Sequence, residues 1–371
     1  MPPSADNTPR SSNLWKVSLG VVVLVGIGIS ALIYSYTIRR ADTPLVTLAG
    51  RAANDLDSVE AIRNYEELLD SSASKTQKAE WQAKLGYHYI VSDDYKRGVD
   101  LSKEIIEDET LPGDLRANTL AIMANGYYRA RDKEILSYIM QDDGIYAEAL
   151  AGGSISSSAD LEDGLHRLYE MANEWHPLSY LEYTIAFHNA NQLLDNPQMP
   201  AGQQKALIAD VLHKVELGDE LLAAETAVAR PLLWPLQLHF RMYDLTAIAR
   251  FDSSYQAEAE EAFEKMMAYC DTNATKRCRS IQTYTRFYYA AYLADTEGEA
   301  ATSRIRELTR PLTGNDNQNL IEINENIYAF FENELTRPKE EQNHNTRFIV
   351  TVAKYDPDFN SLLVSRGWKE K

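Results

Sequence analysis

From residue 45 onward, apolar side chains recur every three or four positions, the spacing that lines one face of an α-helix. In "DSVEAIRNYEELLD" the line is Val59, Ile62, Tyr65 and Leu69, and Asp57 with Glu60 forms a capping pair at the helix start. "KAEWQAKLGYHYIV" places Trp81, Leu85, His88 and Tyr89 on one face. After the turn at "SDD", "YKRGVDLSKEIIED" presents Tyr95, Val99, Ser102 and Ile105 or Ile106. "LPGD" breaks the chain, and a further helix pair is expected over about 114–140. Helices of roughly 12 to 16 residues joined by tight polar turns are the pattern of a helical solenoid.

"AGGSISSSAD", Ala151 to Asp160, is small and polar and is the strongest linker candidate. Beyond it the helices lengthen. Pro235 would remove an interior hydrogen bond from a helix already under way, so the regular helix is expected to begin near it or bend there. Further helices are expected over 253–270, 279–295, 298–310, 318–335 and 344–354. The predicted organisation is a tail over 1–13, an anchor over 14–38, helical repeats over 41–150, a linker over 151–160 and a second α-helical region over 161–371.

The anchor is the one segment that breaks the amphipathic rhythm. "WKVSLGVVVLVGIGISALIYSYTI" has no charge from Val17 to Ile33, and a helix of about 20 apolar residues crosses a bilayer. Trp15, Tyr34 and Tyr36 stand where interfacial anchors belong, with Lys16 and Arg39-Arg40 outside them. A cleaved signal peptide is the competing reading, but "SYTIRRADTP" lacks a convincing small-residue cleavage site. Gly26 and Ser30 could bring two such spans together as a weak homodimer contact.

One stretch carries a family resemblance. "LGYHYIVSDDYKRGVDLSKEII", followed by Leu111-Pro112, resembles a tetratricopeptide repeat on Leu85-Gly86, Tyr89 and Tyr95. The likeness covers about 30 residues around 81–112 and extends to the flanking helix pairs only by their alternation. Gly98 stands where that family has a small alanine, Ser102 where it has an aromatic, and Trp81 is one place out of register. The resemblance implies an all-α fold in which Gly86 admits a neighbouring helix while tyrosines fill the space between paired helices. It also implies a curved surface that binds protein rather than performing chemistry. With the anchor, the fold class expected is a transmembrane helix followed by a tetratricopeptide-like superhelix.

Charge narrows the partners. Residues 1–40 hold four of the 37 Lys/Arg and one of the 55 Asp/Glu, so they carry +3 and the remainder −21. Such a domain is repelled by phosphate backbones and anionic headgroups, which argues against nucleic acid. The basic flanks are nearly balanced and do not set the membrane side. Cys270 and Cys278, the only 2 cysteines, bracket a short turn between helices and are a candidate disulfide, a bond that persists outside the cytosol. Two unpaired thiols beside a loop are the alternative. Asn273-Ala274-Thr275 in the same turn fits a glycosylation sequon.

Candidate chemistry is sparse. Asp163, His166 and Glu170 share a helix face, and His176 and His188 lie nearby with Glu174 and Glu182, but no second anchoring histidine has ligand spacing. No HExxH and no G-x-S-x-G appears. No catalytic residue, metal site or cofactor is therefore expected. "TRFYYAAYLAD" sets Phe287, Tyr288, Tyr289 and Tyr292 on more than one face, and those not taken by the core are candidates for a concave binding surface. The function expected is a membrane-tethered scaffold for another protein or peptide in envelope or secretion-associated assembly. The alternatives are a cytosol-facing receptor of the same class for chaperones or precursors and, less favoured, a hydrolase or metal site near His166 and His176.

Overall fold

The computed structural model describes residues 45–54, 57–92, 94–130, 158–224, 234–313, 318–339 and 342–369. Among them the chain is all α, with no strand. No helix among the described residues is long and apolar enough to cross a membrane. The tail and the anchor expected over 1–38 lie outside those residues, as does 151–157 of the expected linker; its last residues, from Ser158, already belong to a helix.

The first region contains α1 (Leu45–Asn54), α2 (Ser58–Leu69), α3 (Lys75–Val91), α4 (Tyr95–Glu107) and α5 (Gly113–Ala130). Polar caps start two of them: Asp57 Oδ1 accepts from the Glu60 amide at 3.0 Å, and Ser74 and Gln77 form a reciprocal capping box. On α2 the buried face is Ala61, Asn64, Tyr65 and Leu68. The expected line through Val59, Ile62 and Leu69 is thus displaced by about one residue, and Val59 is left 78% exposed.

The α3–α4 hairpin explains two of the three departures from the tetratricopeptide pattern, Gly98 and Ser102. A Cβ at Gly98 would sit 2.7 Å from the Gly86 carbonyl oxygen and 2.6 Å from Ile90 Cγ1. Two helix backbones meet there with no room for a methyl group. Ser102 is small for the same reason, and its hydroxyl donates to the Gly98 carbonyl at 2.8 Å. Leu85 and Tyr89 are buried beside this crossing, whereas Trp81 and Tyr95 are half-buried.

The second region continues with α6 (Ser158–Trp175), α7 (Ser179–Asp195), α8 (Ala201–Ala224), α9 (Trp234–Ala249), α10 (Gln256–Thr272), α11 (Lys276–Thr296) and α12 (Thr302–Thr313). It ends with α13 (Gln318–Thr336), α14 (His344–Tyr355) and α15 (Pro357–Ser365). Pro235 falls in the first turn of α9, where its missing N–H is no loss. Hairpin packs on hairpin: α7 pairs with α8, α9 with α10 and α11 with α12, while α7 touches α9 and α9 touches α11. The same relay joins α3 to α4 and α5 in the first region, and α6 connects α5 to α7.

Helix α11 is the hub of the second region. It packs against α9, α10, α12, α13 and α14, so every side chain from Phe287 to Ala294 is buried. A helix apolar all round is a helix covered all round. One continuous core runs from Tyr183 to Leu363 through this hub.

Candidate functional site

Of the side chains expected to carry function, the aromatic set of α11 is the clearest correction. Phe287, Tyr288, Tyr289 and Tyr292 are 0%, 7%, 2% and 1% exposed, so none presents a face to a groove. Tyr289 stacks on Phe263 with ring centroids 4.1 Å apart, and Phe287 packs edge-on against Phe331 at 4.8 Å. The Tyr288 hydroxyl donates to Asn345 Oδ1 at 3.2 Å, and the Arg250 guanidinium lies 5.3 Å from the Tyr292 ring. They are core because five helices surround α11.

The histidines do not gather into a site. His166 Nδ1 lies 3.7 Å from Glu170 Oε1, and its ring meets His188 at a centroid distance of 5.5 Å. His176 is exposed at the end of α6. The Asp163 side chain lies outside the described set. Among the described residues no cluster of three His, Cys, Asp or Glu side chains could hold a metal ion.

Cys270 and Cys278 are joined as a disulfide, with Cα atoms 5.4 Å apart, at the mouth of the α10–α11 hairpin. Both are buried against Leu238 and Met266. The turn between them is built from its own polar groups. Asn273 donates its amide to the Tyr269 carbonyl at 3.0 Å, and Thr275 Oγ1 accepts from the Cys278 amide at 3.1 Å to cap α11.

What the sequence did not announce is a set of partly buried polar contacts between helices. Asp219 on α8 takes two hydrogen bonds from Arg241 on α9, at 2.6 and 2.9 Å, and one from the Tyr183 hydroxyl at 2.6 Å. One turn on, Asp244 is fully buried and neither carboxyl oxygen has a hydrogen-bond partner. Burial holds its carboxyl well above the usual carboxylate range, against the pull of the Arg241 charge. Gly218 is part of the same crossing, because a Cβ there would lie 2.6 Å from the Tyr183 ring.

A second chain of contacts starts at Asp195, at the end of α7. Asp195 Oδ1 accepts from the His344 amide at 2.7 Å and faces His344 Nδ1 at 2.8 Å. Burial would raise the Asp195 carboxyl, but these bonds and the His344 and Arg347 charges hold it below its ordinary value. His344 Nε2 lies 2.8 Å from the Tyr243 hydroxyl, which in turn donates to Asn191 Oδ1 at 2.8 Å. The order Asp–His–hydroxyl has the outline of an acid–base relay. Here the hydroxyl belongs to a tyrosine 2% exposed and is already engaged on both sides, so the relay fastens α14 to α7 and α9 and reaches no substrate.

The third contact joins the two regions. Tyr87 and His88 share a face of α3 with Lys84, and Arg277 of α11 reaches them. Arg277 Nη1 donates to the Tyr87 hydroxyl at 2.8 Å, and the guanidinium lies 5.3 Å from the Tyr87 ring centroid. His88 is 1% exposed, stacked on Tyr65 with Nδ1 3.4 Å from Ser58 Oγ. Burial first, and the Arg277 charge second, push its imidazole down to about 4. This seam, lined by the repeat-like hairpin on one side and the disulfide-bonded hairpin on the other, is the candidate functional site.

Comparison with protein families, with characterised proteins and with solved structures returns no match to the chain. What the geometry defines is therefore a class only: an all-α array of packed helix hairpins.

Proposed function

We propose that the chain is a membrane-tethered helical-repeat scaffold that binds another protein or peptide and catalyses no reaction. The observation that carries the reading is the relay of hairpins, in which α3 touches both its partner α4 and the first helix of the next hairpin, and α7, α9 and α11 repeat the pattern. Such stacks present extended surfaces suited to protein binding. The tetratricopeptide resemblance around residues 81–112 supports the repeat class, and the uncharged run from Val17 to Ile33 supports the tether. The −21 charge beyond residue 40 turns the search for partners away from nucleic acid.

The Cys270–Cys278 bond favours a placement outside the cytosol, in envelope or secretion-associated assembly. Arg39-Arg40 favours the second reading, a receptor facing the cytosol. Two measurements test the proposal. In carbonate extraction the full chain should stay with the membrane while a 41–371 fragment is released; release of the full chain would remove the tether. Intact cells quenched with acid and blocked for free thiols should give a bonded Cys270–Cys278 pair by mass. Two free thiols would replace the first reading with the second.

A further inference from the structure

Arg277 is an odd residue to bury. It is 6% exposed, its Nε has no hydrogen-bond partner, and among the described residues it makes no ion pair. The ionisable groups beside it on α3 bring no negative charge closer: His88 is held neutral, and burial lowers the Lys84 ammonium despite Glu80 nearby. A buried guanidinium without a counter-charge is unfavourable. Left to itself, the side chain would turn to water.

Two features keep it in place. Thr275 caps the first turn of α11, and Cys278, the very next residue, ties that turn to the end of α10. The sulfur–sulfur bond and its packing on Leu238 and Met266 thus fix the backbone of the turn that carries Arg277 into the seam.

The seam also occupies a special place in the contact map. A path of packed helices runs from α3 through α5, α6, α7 and α9 to α11, and α11 then returns to α1 and, through Arg277, to Tyr87 of α3. The stack closes on itself. Its closing joint is small compared with the other links, and among the described residues the buried Arg277 stands in it without an ion pair.

We propose that Tyr87–Arg277 is a clasp pinned by the disulfide, so that the thiol–disulfide state of Cys270 and Cys278 sets whether the two regions are held together. In the oxidised chain the circuit is closed. A dithiol donor supplies two electrons and two protons, the Cys270–Cys278 bond breaks to two thiols, and the donor leaves as its own disulfide. Because both sulfurs are buried, exchange follows a local opening of the exposed 271–274 turn. The freed first turn then releases Arg277 to solvent, and α1 and α3 part from α11. This device does not depend on the partner-binding reading.

Hydrogen exchange on the full chain in detergent tests it, with wild type oxidised and wild type reduced with a phosphine. Reduction should speed exchange by about fivefold or more in 45–54, 84–91 and 276–281, and leave 179–195 and 234–249 unchanged. Oxidised Arg277→Leu should loosen 45–54 and 84–91 to a similar degree while the α10–α11 turn stays protected. The Cys270→Ala/Cys278→Ala chain should match the reduced wild type. Change confined to 268–281 would overturn the proposal, since the disulfide would then staple only its own hairpin. Loosening throughout, with 179–195 and 234–249 included, would also overturn it, as would an Arg277→Leu chain with unchanged α1 and α3.

Discussion

The two regions solve the same packing problem differently. The first, α1 to α5, closes its α3–α4 hairpin by backbone approach at Gly86 and Gly98 and packs around several cores, one of which runs on through α6 into α7. The second, α7 to α15, wraps hairpins round one buried helix and sews them with polar contacts that span up to 153 residues of sequence. Close glycine crossings are local devices that can be repeated unit by unit. A hub helix is a global device, and a unit cannot be removed from it without exposing the rest. The first region is therefore held together hairpin by hairpin, and the second as one core built from several hairpins.

The sharpest way to break this contrast is to hollow the hub. Phe287→Ala should cost about 3–5 kcal/mol, because a fully buried ring that touches several helices leaves a cavity no single neighbour can fill. Urea denaturation would show it, and a loss below about 1 kcal/mol would mean that α11 is not central.

Acid sharpens the comparison from both sides. His88 in the first region and His239 in the second are both buried, and both are pushed down to about 4, by burial in each case and by the Arg277 charge at His88. Their unfolded forms take up protons near pH 6.5 while the folded forms do not. The stability they allow is complete above pH 6.5 and is lost as pH falls toward 4, at about 1.4 kcal/mol per pH unit for each group. Between pH 7 and 5.5 each of these rings should cost about 1.2 kcal/mol, as should His188, which burial also pushes down, and His239→Gln should lower the total loss by about that amount. A flat urea midpoint over this range would contradict the burial of both rings.

Gly98→Ala comes next, at about 1–3 kcal/mol, since the new methyl meets backbone at the α3–α4 crossing. If instead it stabilises, as an alanine does in an open helix, the crossing is looser than described. Smallest is Asp57→Ala, about 1 kcal/mol from the lost cap on α2, read as earlier melting of that helix alone.

How much of this was legible follows the same division. Leu85, Gly86, Tyr89 and Tyr95 lie within one hairpin, so their spacing in the chain is their spacing in space, and the packing of that hairpin could be read from it. The cysteine turn was legible for the same reason. The role of Gly98 was not, because an unusual small residue is explained only by what lies opposite, here the Gly86 carbonyl. The aromatics of α11 were misjudged although a signal was present: "FYYAAYLA" has no charged residue, and a helix with no polar face has no groove-facing side. Tyr87 with Arg277, and Asp195 with His344, leave no periodic trace, because 190 and 149 residues of chain separate them.

The functional account rests on the proposal that the helices passing contacts from one hairpin to the next, α3 and α9 among them, meet another protein, rather than hairpin partners such as α8 and α10. A photoreactive residue would be placed in the membrane-bound full chain at half-exposed Lys84 on α3 or Leu236 on α9, and in parallel at exposed Glu216 on α8 or Glu264 on α10. The account predicts a discrete protein adduct of the same mass from the first two positions and none from the other two. Adducts from Glu216 and Glu264 alone, or from none of the four, would contradict it.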